Sequence, residues 1–291
     1  MTKAKILVTG LNGFLGTRFK ELYCDKFHIT GFEHKGKKSI TERKYTFDLI
    51  KSSTADIILH LAAKTHIDRC EKDRIFGKKS QSWRINVAGT KNIADACAEN
   101  QKLLIYISTE CVFDGKKSWY QETDEPHPIN WYGETKLQGE KEINRSGAKF
   151  LILRSTLAFG HPVIHPFDLF HFFLNKIKNN DKIMAVDNQL LSLTFVDDLV
   201  NALTVLIQNK AQGIYHYAGG KRISPYKFAL LIGKFLNKPV KITPVSLKDF
   251  FGPSASLRLT NAALSSAKIK KEFDLSPSNI HQALKKLLIK A

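Results

Sequence analysis

No stretch of this 291-residue sequence approaches the roughly 20 consecutive apolar residues needed to cross a bilayer. The N-terminus lacks a signal-peptide shape as well. Lys3 and Lys5 lead straight into Ile6-Leu7-Val8, a buried-strand run too short for an apolar signal core. The expectation is a cytoplasmic protein with no membrane contact. Cysteine is scarce: Cys24, Cys70, Cys97 and Cys111 lie far apart and form no CxxC or other metal-ligand spacing. Reduced thiols are expected rather than disulfides. Acidic residues are few beside basic ones, 27 against 45, which leaves a formal net charge of +18. Such a charge fits nucleic acid or an anionic substrate. The basic residues, however, fall into scattered small groups such as Lys35/Lys37/Lys38, Lys78/Lys79 and Lys268/Lys270/Lys271. No basic stripe is interleaved with aromatics, so a solvated Lys-rich surface is expected and no nucleic-acid partner. His161, His165 and His171 have Asp168 as their only neighbouring carboxylate, and their spacing matches no established ligand set. No metal site is expected, and Phe167, Phe170, Phe172 and Phe173 read as the core of a lobe.

What is present is an alternation of strand and helix signals. Short apolar runs at residues 5–9, 27–32, 56–61, 103–108 and 150–154 read as strands. Helical spacing appears at 17–23, 85–99 and 132–144. This order predicts an α/β fold, a parallel sheet with helices on both faces. Beyond Gly160 the pattern becomes irregular. Helices are expected at 167–177, 197–207, 225–236 and 280–290, with strands at 193–196 and 213–217. That part is expected to form a smaller, mixed C-terminal lobe.

The first strand runs into Thr9-Gly10-Leu11-Asn12-Gly13-Phe14-Leu15-Gly16 and then into a helix. Glycine at such positions permits a tight turn, close approach of backbone to a pyrophosphate, and helix–strand packing. The helix start adds free N–H groups and partial positive charge. Gly10, Asn12, Gly13, Phe14, Leu15 and Gly16 are therefore candidate dinucleotide-binding residues. The spacing is GxxGxxG rather than the more frequent GxGxxG. Glu33, about 20 residues beyond the loop, can bind ribose hydroxyls. The adjoining His34, Lys35, Lys37 and Lys38 suit a 2′-phosphate instead, so NAD and NADP both remain open.

Tyr132-Gly-Glu-Thr-Lys136 sets a phenol and an ammonium four residues apart, on one face if helical. A nearby cation is expected to lower the phenol pKa toward the working range, so that tyrosine can pass a proton to a carbonyl oxygen. The spacing alone is weak, because Tyr217-Ala-Gly-Gly-Lys221 shares it. Two glycines make a helix there improbable. Tyr132 also follows a strand ending in Ser108-Thr109, whose hydroxyls could bind the same carbonyl oxygen.

Taken together, these residues resemble the extended short-chain dehydrogenase/reductases, and most closely the dTDP-4-dehydrorhamnose reductase group. The resemblance extends through Phe47-Asp48-Leu49, His60-Leu-Ala-Ala63, Ile67-Asp68-Arg69-Cys70-Glu71, Ile85-Asn86-Val87, Ser108-Thr-Glu-Cys-Val-Phe-Asp-Gly115, Gln121-Glu-Thr-Asp124, Arg154, Gly213-Ile-Tyr-His216 and Arg258-Leu259. It implies a Rossmann-type doubly wound sheet. Residues 1–160 would bind the dinucleotide, with 191–218 returning to that domain, while 161–190 and 219–291 would form the substrate lobe. It implies catalytic roles for Thr109, Tyr132 and Lys136, with Asn86 holding the lysine through water. Asp48 and Leu49 would contact adenine, and Leu61, Ala62 and Ala63 would line the cofactor cleft. Glu110, Val112 and Arg258 would face substrate. The implied reaction is NAD(P)H-dependent reduction of a keto group on a nucleotide-linked deoxysugar, with a homodimer as the expected assembly.

Three departures leave the sugar open. Glu110 stands where the group has aspartate, Leu157 where Arg-Thr-x-Trp has tryptophan, and Gly252 to Ser256 where an Arg-Pro pair is usual. Two other readings share the fold. An epimerase would use the same tyrosine with a recycled cofactor. A non-catalytic subunit would be like the regulatory subunit of methionine adenosyltransferase. Dehydration fits less well, because Thr109-Glu110-Cys111 lacks the second acid of a Thr-Asp-Glu triplet.

Overall fold

The computed structural model describes residues 3–32, 38–161 and 168–288. The chain divides into two compact units of nearly equal length. The first comprises residues 1–112, 126–154 and 210–214, and the second 113–125, 155–209 and 215–291.

The first unit is built on alternating strands and helices: β1 (Ala4–Thr9), α1 (Phe14–Tyr23), β2 (Phe27–Gly31), α2 (Arg43–Ser52), β3 (Ile57–His60) and α3 (Ile67–Asp73). These are followed by α4 (Gln81–Trp83), α5 (Thr90–Glu99), β4 (Leu103–Thr109), α6 (Trp131–Arg145) and β5 (Phe150–Ser155). Ile6, Leu7 and Val8 of β1 are buried, as are all four residues of β3. Continuous burial of this kind marks strands covered on both faces, and explains why they read as unbroken apolar runs. The sheet is parallel and six-stranded, in the order β10-β5-β4-β3-β1-β2, with β10 formed by Gly213–Tyr217. Strand order reverses at β1: β2 lies on one side and β3 on the other. That reversal opens a crevice beyond the carboxyl ends of β1 and β3, where open α/β sheets bind ligands. Thr9 and His60 stand side by side there in the β1–β3 register. Ile50 of α2, with Ile93 and Cys97 of α5 and Ile143 of α6, joins the core cluster that also holds Ile58 and Leu104.

The helix expected at 85–99 is two elements. Arg84–Gly89 is a wide π-turn, and α5 begins only at Thr90. Apolar periodicity cannot separate the two, because their buried faces are continuous.

The second unit contains β6 (Ala158–Phe159), α7 (Leu169–Lys178), β7 (Ile183–Val186), β8 (Leu190–Leu191), β9 (Thr194–Phe195) and α8 (Val196–Gln208). It continues with α9 (Pro225–Phe235), β11 (Ile242–Val245), α10 (Leu247–Phe251), β12 (Asn261–Ala262), α11 (Ala267–Phe273) and α12 (Ile280–Leu288). Its strands pair two by two, β6 with β9, β7 with β11 and β8 with β12, all parallel. Phe159, Phe170, Phe195 and Phe228 pack ring against ring in its core. Phe170 and Phe173, three apart on α7, face inward, whereas Phe172 is exposed, contrary to the expected all-phenylalanine core. Phe167 and His165 lie outside the described residues. Asp168 caps α7, accepting from the Phe170 N–H at 3.1 Å, and sits 2.5 Å from Nδ1 of His171. Among the described residues no helix is long and apolar enough to cross a membrane.

Candidate active site

The glycine loop leaves β1 at the crevice. Gly10 has φ +69, and a Cβ there would lie 2.8 Å from the Ala62 backbone nitrogen. Only glycine lets the loop turn left-handed and press against the exit of β3. The Gly13 N–H donates to the Gly10 carbonyl at 2.9 Å, and Gly13 is the N-cap of α1. That helix has no side-chain cap and no acidic residue in its first turn. The positive end of its dipole is therefore not neutralised from within, which suits a pyrophosphate. Leu61 and Ala62 dock on β1, their N–H groups donating to the Thr9 carbonyl and hydroxyl. Ala63 follows half-buried at the same edge. Cradle and helix start together fit a dinucleotide.

The chemical groups converge where β4 meets α6. β4 ends at Thr109, and residues Glu110–Val112 form a single tight turn. Asn130 caps α6, its side chain accepting from the Gly133 N–H at 2.8 Å. A Cβ on Gly133 would stand 1.9 Å from the Cys111 carbonyl oxygen. The glycine inside the YxxxK motif thus lets the helix backbone lie directly on the turn and brings Tyr132 beside Thr109. The competing motif is not helical: Tyr217 ends β10.

Electrostatics there differ from the sequence expectation. Burial raises the Tyr132 phenol well above its ordinary pKa, and the charges of Cys111 and Glu110 push it further up. A hydrogen bond with the Thr109 side chain works in the opposite direction. Lys136 is itself buried, and burial pushes its ammonium down to about 7, opposed by the Glu140 charge. Its Nζ donates to the Ile107 carbonyl at 2.7 Å and lies 3.8 Å from the centre of the Tyr106 ring. In the chain by itself the lysine therefore does not lower the tyrosine pKa. Its own desolvation weakens its charge, and its nitrogen is held by β4. Thr109 Oγ1 donates to Glu110 Oε2 at 2.8 Å and accepts the Cys111 N–H at 3.2 Å. Burial pushes the Glu110 carboxyl up to about 7, with the Thr109 hydrogen bond pulling it partly back. The Ser108 hydroxyl is buried without a partner.

Behind these groups runs a hydrogen-bonded chain that sequence reading did not foresee. Thr9 Oγ1 meets His60 Nδ1 at 2.7 Å, and His60 Nε2 meets Thr90 Oγ1 at 3.0 Å. Thr90 spends its single hydroxyl proton on the Asn86 carbonyl at 2.8 Å. It must then accept from Nε2–H, which leaves Nδ1 to accept from Thr9. Burial, aided by the Lys136 charge, drives His60 down to about 3, so the ring is neutral. Asn86 continues the chain. Its Nδ2 donates to Thr135 Oγ1 and to the Lys64 carbonyl, both at 2.9 Å, while Oδ1 accepts the Lys64 N–H. Thr135 in turn donates to the Tyr132 carbonyl at 2.8 Å. The Asn86 side chain is thus occupied in tying β3's exit to α6 and does not itself reach Lys136.

Other expected site residues fall elsewhere. Asp48 and Leu49 sit on the last turns of α2, which runs back toward the start of β3. They belong to the end of the sheet opposite the glycine loop, and Leu49 packs on the core. The segment on the loop's side is Ser39-Ile40, just before α2, where the Ile40 carbonyl accepts from Asn92 at 2.9 Å. Val112 is fully buried and presents no surface to a ligand. Arg258 lies in the second unit, its guanidinium 4.3 Å from the Phe251 ring centre. Glu33 and His34 lie outside the described residues.

Known proteins resemble this chain in sequence and in fold. The chain is similar to the dTDP-4-dehydrorhamnose reductase of Aggregatibacter actinomycetemcomitans, with 28% identity covering 98% of each protein. It is also similar to methionine adenosyltransferase 2 subunit beta of Xenopus laevis, with 27% identity over 92% of this chain and 82% of that one. Among solved structures, dTDP-4-dehydrorhamnose reductase from Bacillus anthracis, in complex with NADP, superposes with a TM-score of 0.90 at 28% identity, covering 100% of both chains. The family model described as RmlD substrate binding domain matches residues 4–291, so the chain belongs to that family.

Proposed function

We propose that this protein is an NAD(P)H-dependent reductase of a keto group on a nucleotide-linked deoxysugar, working in the cytoplasm. The observation that carries this reading is the meeting of Thr109, Tyr132 and Lys136 at the end of β4, in the unit that also holds the Gly10–Gly16 cradle. The first unit would then bind the dinucleotide, and the second would contribute substrate contacts, Arg258 among them. NADP in the Bacillus anthracis relative supports the cofactor class.

The bound nicotinamide would supply the hydride. The chain supplies the rest. Thr109 and Tyr132 offer hydroxyls to the carbonyl oxygen, and Tyr132 gives that oxygen its proton. Lys136 is held against β4 by the Ile107 carbonyl. The raised phenol pKa keeps Tyr132 protonated until the carbonyl oxygen gains charge. The test is a panel of nucleotide-linked 4-keto sugars, assayed separately with NADH and NADPH by loss of absorbance at about 340 nm. Consumption of cofactor in step with alcohol formation supports the reading. Interconversion of sugars without net cofactor loss would favour an epimerase.

The likeness to the methionine adenosyltransferase subunit favours a second reading, a regulatory partner of a synthetase. Tight capture of a synthetase, with no turnover across the panel, would establish that reading instead.

A further inference from the structure

Ile75 is the most exposed large apolar side chain among the described residues, at 82%, and the next residue, Phe76, is 61% exposed. No other two exposed large apolar residues are neighbours in the chain. Single exposed apolar residues need no explanation. This pair sits in the first unit, on the tight turn Arg74–Lys79 between α3 and α4.

The turn is braced at its base. Asp73 accepts from the Ser82 N–H at 2.9 Å and from the Ser82 hydroxyl at 2.6 Å, and it pairs with Lys64 at 2.8 Å. Gly77 has φ +50, and a Cβ there would meet nothing within 4 Å. The chain therefore kinks immediately after Phe76 in open space.

Two tryptophans and several cations surround this tip. Trp83 of α4 and Trp131 of α6 stack with their ring centres 5.7 Å apart. Lys78 Nζ lies 5.8 Å from the centre of the Trp83 ring, and the Arg74 guanidinium 5.7 Å from that of Trp131. The neighbouring acids are already engaged. Glu71 pairs with Arg74 at 2.9 Å and accepts the Trp131 N–H at 2.9 Å, and Asp73 holds Lys64. Lys72, Lys78 and Lys79 are exposed and have no acidic partner among the described residues. The face is apolar at its tip, aromatic beneath and positive around.

We propose that this face docks on an anionic lipid bilayer, with Ile75 and Phe76 entering the acyl boundary and Lys72, Lys78 and Lys79 on the headgroups. The proposal stands independently of the reductase reading. Apolar side chains gain by leaving water, and tryptophan suits the level where an apolar phase meets a wet one. Lysines beside the tip are attracted to anionic headgroups. Contact of this kind is peripheral and asks for no spanning helix. Charge decides the occupant. A second copy paired about a two-fold axis would bring this basic face against itself, and each chain carries +18. A nucleic-acid backbone would take the cations and leave Ile75 and Phe76 in water. An anionic bilayer takes both.

The test is sedimentation of the whole chain with vesicles of phosphatidylcholine and phosphatidylglycerol in equal amounts, against phosphatidylcholine alone. The parent should bind the anionic vesicles, and less tightly as salt rises. A chain of +18 is also drawn to such vesicles by its overall charge, so the apolar tip carries the decision. Ile75→Ser with Phe76→Ser should weaken binding about tenfold or more. Met184→Ser, at a residue of the second unit that is 62% exposed, should leave it unchanged. Insertion is read separately. In Trp119→Phe the remaining tryptophans are Trp83 and Trp131, and brominated lipid should quench their fluorescence. Binding that survives the double serine variant, or that brings no quenching, overturns the proposal in favour of adsorption by net charge. A parent that binds neither vesicle overturns it too. A parent that is dimeric in solution, with a monomeric double serine variant, shows the face to be a self-interface and likewise overturns it. Both side chains are exposed, so these variants remove no packing from the core. Phe76→Leu keeps the tip apolar and should bind nearly as the parent does, and a loss there as large as with serine overturns the proposal.

Discussion

The two ends of α6 treat a glutamate in opposite ways. Near the C-terminal end, Glu140 is gripped by Arg154 at 3.0 and 2.6 Å, each side chain 3% exposed. At the N-terminal end, the helix rests on the turn of Glu110, whose hydrogen-bond partner is the neutral Thr109 hydroxyl. A fork of guanidinium donors clamps the carboxylate and fastens α6 to β5. A lone hydroxyl leaves the carboxyl free to change protonation near neutral pH. One end of the helix is built for anchorage and the other for proton chemistry.

The sharpest way to separate the two ends is by substitution. Tyr132→Phe, at the chemical end, should lower turnover about 10²- to 10⁴-fold with cofactor affinity and unfolding midpoint nearly unchanged. Near-normal turnover, measured with saturating cofactor, would remove Tyr132 from the mechanism. Arg154→Met, at the anchored end, leaves Glu140 buried without its partner and should cost about 3–5 kcal/mol in urea unfolding. A loss comparable to a surface substitution would show that the pair carries little of the packing. Replacing both partners, Arg154→Met with Glu140→Met, should recover most of that loss, because no stranded charge remains.

The smallest effect is a pH dependence of stability. Glu110 is raised from 4.5 to about 7 on folding. Between those values the folded chain keeps a proton that the unfolded chain has released, so unfolding free energy falls as pH rises. Glu110→Gln should remove that fall, and urea titrations at pH 5 and 7 compare the two chains. Parallel curves would show that Glu110 is not raised. Lys136 acts in the reverse sense at higher pH. Its lowered value makes the unfolded chain bind the extra proton, so stability climbs from about 7 toward 10.5.

The sheet was legible because strands covered on both faces leave apolar runs that turns and glycines punctuate. The loop at Gly10–Gly16 and the Tyr132/Lys136 pair were legible because their chemistry depends on short, fixed spacings. Spacing does not say where a long side chain ends. Lys136 shares a helix face with Tyr132, yet its nitrogen is held by the Ile107 carbonyl, and the expected lowering of the phenol pKa does not follow. A tripeptide such as Phe47-Asp48-Leu49 does not reveal whether it closes a strand or sits inside a helix, so the two ends of the sheet were confused. The irregular second half gave fewer signals, because strands of two residues, such as β6, β8, β9 and β12, are too short to show any period.

The chain from Thr9 through His60, Thr90, Asn86 and Thr135 to Tyr132 bears on how this protein can be re-engineered. Every proton in it has one permitted direction, so its members are interchangeable only as a set. A chimera that takes the first strand and glycine loop from a relative, but keeps this chain's α5 and α6, inherits a mismatch unless Thr9 travels with His60, Thr90 and Thr135. Cofactor preference could then be transplanted most cleanly by cutting after Thr9, not before it.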